Sequence, residues 1–131
     1  YPAHAALGSI AWTQWNDLPK AREEFGLALE LHDDGVTRYD YGTILLLASQ
    51  PAEAVAQFDR AVALEPYFAS ARFNRAVALD RLGKRGEAVA AYRDFIDRAP
   101  RRSAELIAAA RGRIDALSAP ADSASASHQP R

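Results

Sequence analysis

The sequence predicts an all-α protein, an α-α superhelix of about three helical hairpins followed by a C-terminal capping helix. Two observations lead to this fold class. The chain repeats itself, because residues 52–66 realign on residues 86–100 at an offset of 34 residues. Within a copy the apolar residues follow a helical period, since Ala54, Phe58 and Ala61 lie on one face of a helix. A repeated pair of amphipathic helices is the unit of a helical solenoid.

The copies agree in residue type as well as in spacing. At the 34-residue offset Phe58 aligns with Tyr92 and Pro66 aligns with Pro100. A further copy begins 33 residues upstream, which implies a one-residue deletion near residues 33–35. In the first helices of the three copies, two sets of positions align at these spacings. One set is small, namely Ser9, Gly42 and Ala76, and the other is large, namely Trp12, Leu45 and Leu79.

Turn and helix-start residues divide each copy into two helices. The breaks within the hairpins fall at residues 16–19, 49–51 and 83–86. Pro19 and Pro51 suit a first helical turn, whereas Pro66 and Pro100 end the second helices. The sequence therefore predicts helices at residues 2–15, 19–31, 36–48, 52–64, 69–82, 87–98 and 102–117.

The repeated pattern resembles the tetratricopeptide repeat. The matching residues are Gly42, Ala54, Phe58, Ala61 and Pro66 in the second copy, with Ala76, Ala88, Tyr92 and Pro100 in the third. The usual Trp at position 4 is replaced by Ala5, Arg38 and Arg72, and the usual Leu at position 7 by Gly8, Tyr41 and Arg75. The resemblance implies repeats at about residues 2–34, 35–68 and 69–102, with a capping helix at about 102–117. We expect residues 118–131, rich in Ser, Ala and Pro, to be a tail or linker.

The resemblance also implies a binding groove lined by the first helix of each pair. Carried over by position, the groove residues that we select are Ile10, Gln14, Tyr39, Thr43, Leu46, Leu47, Phe73, Asn74, Val77 and Arg81. We expect Leu46 and Leu47 to be exposed together as an apolar patch. The Lys and Asn residues with which some members of this family clamp a chaperone C-terminus are absent, since Ala6 and Ile10 replace them.

The predicted function is a protein-interaction scaffold that holds a peptide or helix of another protein in this groove. Two alternatives stay open. The same surfaces could stack against identical or fixed neighbours, which would make the chain a self-associating or structural subunit. The chain could also be the regulatory arm of a larger enzyme.

The composition argues against several other functions. A net charge of −1 does not favour bulk attraction to nucleic acid, so RNA binding is a minor alternative. No run approaches the roughly 18 apolar residues of a membrane span. Basic and acidic residues are unevenly distributed, giving −6 up to Pro66 and +5 from Tyr67 onward. This asymmetry is typical of solvated faces or of a bipolar surface that orients a partner.

We find no pattern of catalytic, cofactor-binding or metal-binding residues in the sequence. The chain has no cysteine, and His4, His32 and His128 have no spacing that places two of them on one helix face. We therefore expect a protein that is not an enzyme and needs no cofactor. The Ala- and Arg-rich composition suggests a bacterial source and does not decide between cytoplasm and periplasm.

Overall fold

The computed structural model describes residues 2–119, which form an array of helical hairpins. This range contains seven α-helices and no strand, so the predicted fold class is confirmed. The helices are α1 (Pro2–Trp15), α2 (Leu18–Leu31), α3 (Gly35–Leu47), α4 (Pro51–Leu64), α5 (Ala69–Arg81), α6 (Arg85–Arg98) and α7 (Ala104–Ser118), the last preceded by a 3₁₀ turn at Arg101–Ser103. The predicted boundaries agree with these to within two residues. Most of the predicted tail, from residue 120 onward, lies outside the described residues.

Local chemistry explains where the helices begin. The Asp17 carboxylate accepts a hydrogen bond from the backbone N–H of Lys20 (3.0 Å), and Asp34 accepts one from Thr37 (2.7 Å). Both are N-cap interactions that satisfy a free N–H in the first turn. Proline also occupies the first turn of α2 and of α4, where its missing N–H is not needed.

Successive hairpins pack through aromatic residues of the second helices. Within the hairpins α1 lies on α2, α3 on α4 and α5 on α6; between hairpins α4 packs on α5 and α6 on α7. Phe25, Phe58 and Tyr92 are almost completely buried at equivalent places in α2, α4 and α6. The first hairpin packs less extensively on the second than the second does on the third.

The structure corrects the predicted alignment of the first hairpin by one residue. Gly8, and not Ser9, has the role of Gly42. A methyl group at Gly8 would lie 2.7 Å from the Phe25 ring, and a methyl group at Gly42 would lie 2.7 Å from the Phe58 ring. Both glycines therefore allow a first helix to approach the aromatic residue of its own second helix closely.

Two polar contacts support the same correction. His4 contacts Glu24 as Arg38 contacts Gln57, so His4, and not Ala5, occupies position 4. The positive-φ residues of the hairpin turns are Asn16 (55°), Ser49 (61°) and Gly83 (77°). In each turn the backbone N–H of the residue that follows donates a hydrogen bond to a carbonyl of the first helix: Asp17 to Ala11, Gln50 to Leu45 and Lys84 to Leu79. The last turn of α1 thus contains one extra residue, and the three first helices keep a 34-residue spacing.

Hydrogen bonds explain the two arginines that replace the usual Trp of the repeat. Arg38 donates to Asp33 (2.8 Å) and to Gln57 (2.8 Å). Arg72 donates to the Pro66 carbonyl (2.9 Å) and to Asp94 (2.7 Å). These arginines tie each first helix to its second helix or to the preceding loop. In the corrected alignment Leu7 occupies position 7, where the repeat usually has Leu.

The capping helix is attached to the third hairpin by a charged network. Arg113 on α7 donates to both oxygens of Asp80 on α5, at 2.7 and 2.9 Å. Tyr92 on α6 donates its hydroxyl hydrogen to the same carboxylate at 3.0 Å. This bidentate ion pair lowers the pKa of Asp80, and burial and the neighbouring carboxylate raise the pKa of Tyr92.

Candidate functional site

The first helices α3 and α5 present parallel stripes of partly exposed side chains. We name them together the first-helix face, whose residues are Val36, Asp40, Thr43 and Leu47 on α3 with Ser70, Asn74, Val77 and Arg81 on α5. Within each stripe the residues are four, three and four apart, which places them on one side of an α-helix. The two stripes are related by the 34-residue repeat.

Side-chain contacts join the two stripes. The Asn74 amide lies 3.4 Å from both the Tyr39 hydroxyl and the Thr43 hydroxyl, and so links α5 to α3. Arg81 donates to the Leu46 carbonyl at 3.2 Å across the same boundary. Tyr39, Thr43, Asn74 and Arg81, which the sequence analysis selected, are therefore brought together.

Half-buried aromatic rings lie beside the stripes. Tyr39 packs against Phe68, with ring centroids 4.8 Å apart. Phe73 packs edge-on against Phe95, with centroids 5.3 Å apart. Because these contacts cover only part of each ring, Tyr39 and Phe73 keep some apolar surface available to solvent.

The expectation of two exposed leucines is wrong for one of them. Leu47 is 59% exposed, whereas Leu46 is only 6% exposed and packs in a core that contains Phe58 and Ala78. The helical rotation between adjacent residues places Leu46 toward α4 and α5 when Leu47 faces solvent. Leu46 is therefore a core residue, and only Leu47 is available to a ligand.

The corrected alignment also moves two selected residues off this face. Ile10 aligns with the buried Ile44, and Gln14 aligns with Ala48. The residues of α1 that align with Thr43 and Leu47 are Ser9 and Thr13. The error arose because the sequence alone did not show that α1 has an extra residue in its last turn.

Asp40 is the acidic residue of the first-helix face. Within residues 2–119 its carboxylate makes no hydrogen bond and no ion pair, whereas Asp33, Asp80 and Asp94 all contact arginines. Partial burial, together with repulsion from Asp34, raises the pKa of Asp40 above its usual range. The chain therefore holds an uncompensated negative charge between the apolar side chains of Val36 and Leu47.

A shallow cavity that the sequence analysis did not find adjoins one end of the face. It has a volume of about 480 Å³ and is lined by Val36, Glu65, Pro66, Tyr67 and Phe68. The Tyr67 side chain is 92% exposed there. An aromatic residue in a polar loop after the helix-ending Pro66 is the signal that could have revealed this cavity.

No group of three or more His, Asp or Glu residues in the described part of the chain could hold a metal ion. No helix in the described range is long and apolar enough to cross a membrane.

Comparison with known families identifies the third hairpin. Residues 69–102 match the family model of the tetratricopeptide repeat. The matched range begins at the first residue of α5 and ends in the 3₁₀ turn before α7. The match supports the tetratricopeptide repeat predicted from the sequence in this hairpin and indicates a general protein–protein interaction module. Comparison with curated proteins finds no match for the chain.

Proposed function

We propose that this tetratricopeptide-repeat protein binds an amphipathic helix or an extended peptide of another protein along the first-helix face. The observation that supports this proposal most directly is the pair of parallel stripes on α3 and α5. They combine exposed apolar side chains, such as Leu47, with polar groups that could orient a bound chain, such as Asn74 and Arg81. Protein-binding surfaces commonly combine apolar anchors with a few polar groups in this way.

The polar groups have distinct roles in the proposed complex. Asn74 shares its amide hydrogens with Tyr39 and Thr43 at the long distance of 3.4 Å, so its amide can be redirected to a peptide carbonyl at small cost. Asp40 has no partner among residues 2–119 and could pair with a cationic side chain of the ligand. Tyr39, Phe73 and Val77 supply the apolar surface between these polar groups.

A peptide-display experiment tests this proposal. Random 15-residue peptides are selected against the full chain, and the affinity of the selected peptides is measured for the parent and for Leu47→Glu. We expect a loss of about tenfold or more, because a buried apolar anchor contributes at least about 1.4 kcal/mol to binding. Equal affinity for the parent and Leu47→Glu would contradict the proposal.

Leu31→Glu is the matched control. Leu31 is 66% exposed, similar to Leu47, but lies at the end of α2 and not on a first helix. We expect this variant to bind the selected peptides as the parent does. A loss at Leu31 without a loss at Leu47 would place the ligand on the second helices.

A further inference from the structure

Helix α1 has an unusual composition for a helix at the end of an array. Its 14 residues contain no Asp, Glu, Lys or Arg. Every other α-helix of the described range contains at least two such residues. Nevertheless much of its surface is exposed, including Leu7 at 46%. A helix without charge on any side is normally covered on most sides.

One side of α1 carries a largely apolar stripe, which we name the edge face: Ala3, Leu7 and Ile10, followed by the polar Gln14. The spacing of four, three and four residues places them on one side of the helix. This side differs from the one occupied by Ser9 and Thr13, which align with the first-helix face. The edge face is thus a second surface, independent of the proposed peptide site.

The repeat shows what covers the equivalent side of the other first helices. In α3 this side is Thr37, Tyr41 and Ile44, and α2 covers it: Ile44 is 6% exposed, and Tyr41 stacks on Phe25 with ring centroids 5.0 Å apart. The helices therefore meet through an aromatic ring of α2 and a large side chain of α3.

In α5 the same side is Ala71, Arg75 and Ala78, and α4 covers it. Ala71 and Ala78 are completely buried in the cluster that contains Phe58, and Arg75 pairs with Asp59. The contact between a second helix and the following first helix thus occurs twice, in α2 with α3 and in α4 with α5. In α1 the corresponding side of a first helix is present, but no second helix of residues 2–119 lies on it.

We propose that the edge face of α1 docks the second helix of a further hairpin of the same type, which extends the array on that side. The docked helix places an aromatic ring against Leu7, as Phe25 lies against Tyr41, and a small residue near Ile10, as Ala21 clusters with Ile44. The interface is apolar and uncharged, in agreement with the composition of α1.

A second copy of this chain does not fit the same role. The docking surface of each second helix is already occupied in the described structure: α2 by α3, α4 by α5 and α6 by α7. The outer side of α7 presents Glu105, Arg111 and Asp115 and no aromatic ring. The required hairpin is therefore one that residues 2–119 do not contain.

An extended protein tests this inference. Residues 1–34 are duplicated directly before residue 1 of the full chain, which preserves the 34-residue spacing of the first helices. Hydrogen exchange of the original α1 is then compared with that in the parent chain. We expect the α1 amides to exchange about tenfold or more slowly, because the added second helix covers the edge face.

Two variants show which face of α1 is responsible. Leu7→Glu on the edge face should remove the added protection in the extended protein, and Thr13→Glu, which lies outside the edge face, should retain it. A second extension places residues 35–68 before residue 1. It tests a different hairpin, in case the second helix of residues 1–34 does not fit the edge face. If neither extension slows exchange in α1, or if Leu7→Glu has no effect on the protection, the inference is wrong.

Discussion

Gly8 and Gly42 both leave room for an aromatic ring of the second helix of their hairpin. A methyl group at Gly8 would lie 2.7 Å from Phe25 Cδ2, so Gly8→Ala forces the ring or the helix to move. We expect a loss of about 1–3 kcal/mol in the free energy of unfolding, measured by denaturant titration. Ser9→Ala should have a much smaller effect, although the sequence alone favours Ser9 as the small residue. A larger loss at Ser9 would contradict the corrected alignment.

Gly26 is the control for the intrinsic effect of Gly→Ala in a helix. A methyl group there meets no atom within 4 Å. Gly26→Ala should therefore stabilise the protein by roughly 0.5–1 kcal/mol, since alanine is the better helix former.

Asp40 should destabilise the free protein at neutral pH. Its folded-state pKa is raised, so the fold disfavours the ionised carboxylate, and stability falls as the pH rises from the unfolded-state pKa through the folded-state pKa. Asp40→Asn should unfold at a higher temperature than the parent at pH 7. Below the unfolded-state pKa of about 3.9 both side chains are neutral, and the difference should vanish. A variant that is less stable at pH 7 would show that Asp40 has a partner in the fold.

The contrast between Leu46 and Leu47 shows the limit of sequence reasoning for single residues. The repeat pattern correctly placed both at the end of a first helix. It could not decide which side chain faces solvent, because that depends on a rotation of about 100° per residue and on the position of α4 and α5. The repeat pattern also placed Tyr39 and Asn74 on neighbouring first helices, and in the structure their side chains lie 3.4 Å apart across the hairpins.

Among the elements, α7 depends on Arg113 for its attachment. We expect Arg113→Ala to speed hydrogen exchange in α7 more than in α3 or α4, because the ion pair with Asp80 joins α7 to α5. Arg111→Ala is the control, since Arg111 is exposed on the same helix and forms no ion pair in the described part of the chain. Equal exchange in both variants would mean that apolar packing alone holds α7.

The ion pairs between elements should make the protein sensitive to acid. Arginine partners lower the pKa of Asp33 and of Asp80, so the stability they contribute is complete above the unfolded-state pKa of about 3.9 and is lost as the pH falls through the folded-state values. Thermal unfolding should show a steep decrease in stability below about pH 4. In Asp80→Asn this decrease should be smaller than in the parent.

The boundaries of the helices were predictable because local signals determine them. Proline in the first turn, Asp caps and the residues of the hairpin turns are all visible in the sequence. The extra residue in the last turn of α1 was not predictable, because it leaves the neighbouring helices in place and changes only the hydrogen bond from Asp17 to Ala11. A single residue in a turn was enough to place Ile10 and Gln14 on another surface.

Across the whole molecule, stability should increase from the first hairpin toward the third. The first hairpin packs less extensively on its neighbour, and the edge face of α1 is uncovered in residues 2–119. In a repeat array each unit is stabilised mainly by its neighbours. We expect α1 and α2 to exchange amide hydrogen faster than α4 and α5 at pH 7. Uniform protection from α1 to α6 would contradict this gradient.

The central claim is that the first helices α3 and α5 bind a peptide of a partner protein. The most direct test is NMR chemical-shift mapping of the isotope-labelled chain with a display-selected peptide. We predict the largest shift changes at Asp40, Thr43, Leu47, Asn74 and Val77, together with little change along α2 and α7. Changes confined to the second helices or to α7 would contradict the account and would move the binding site to another face of the array.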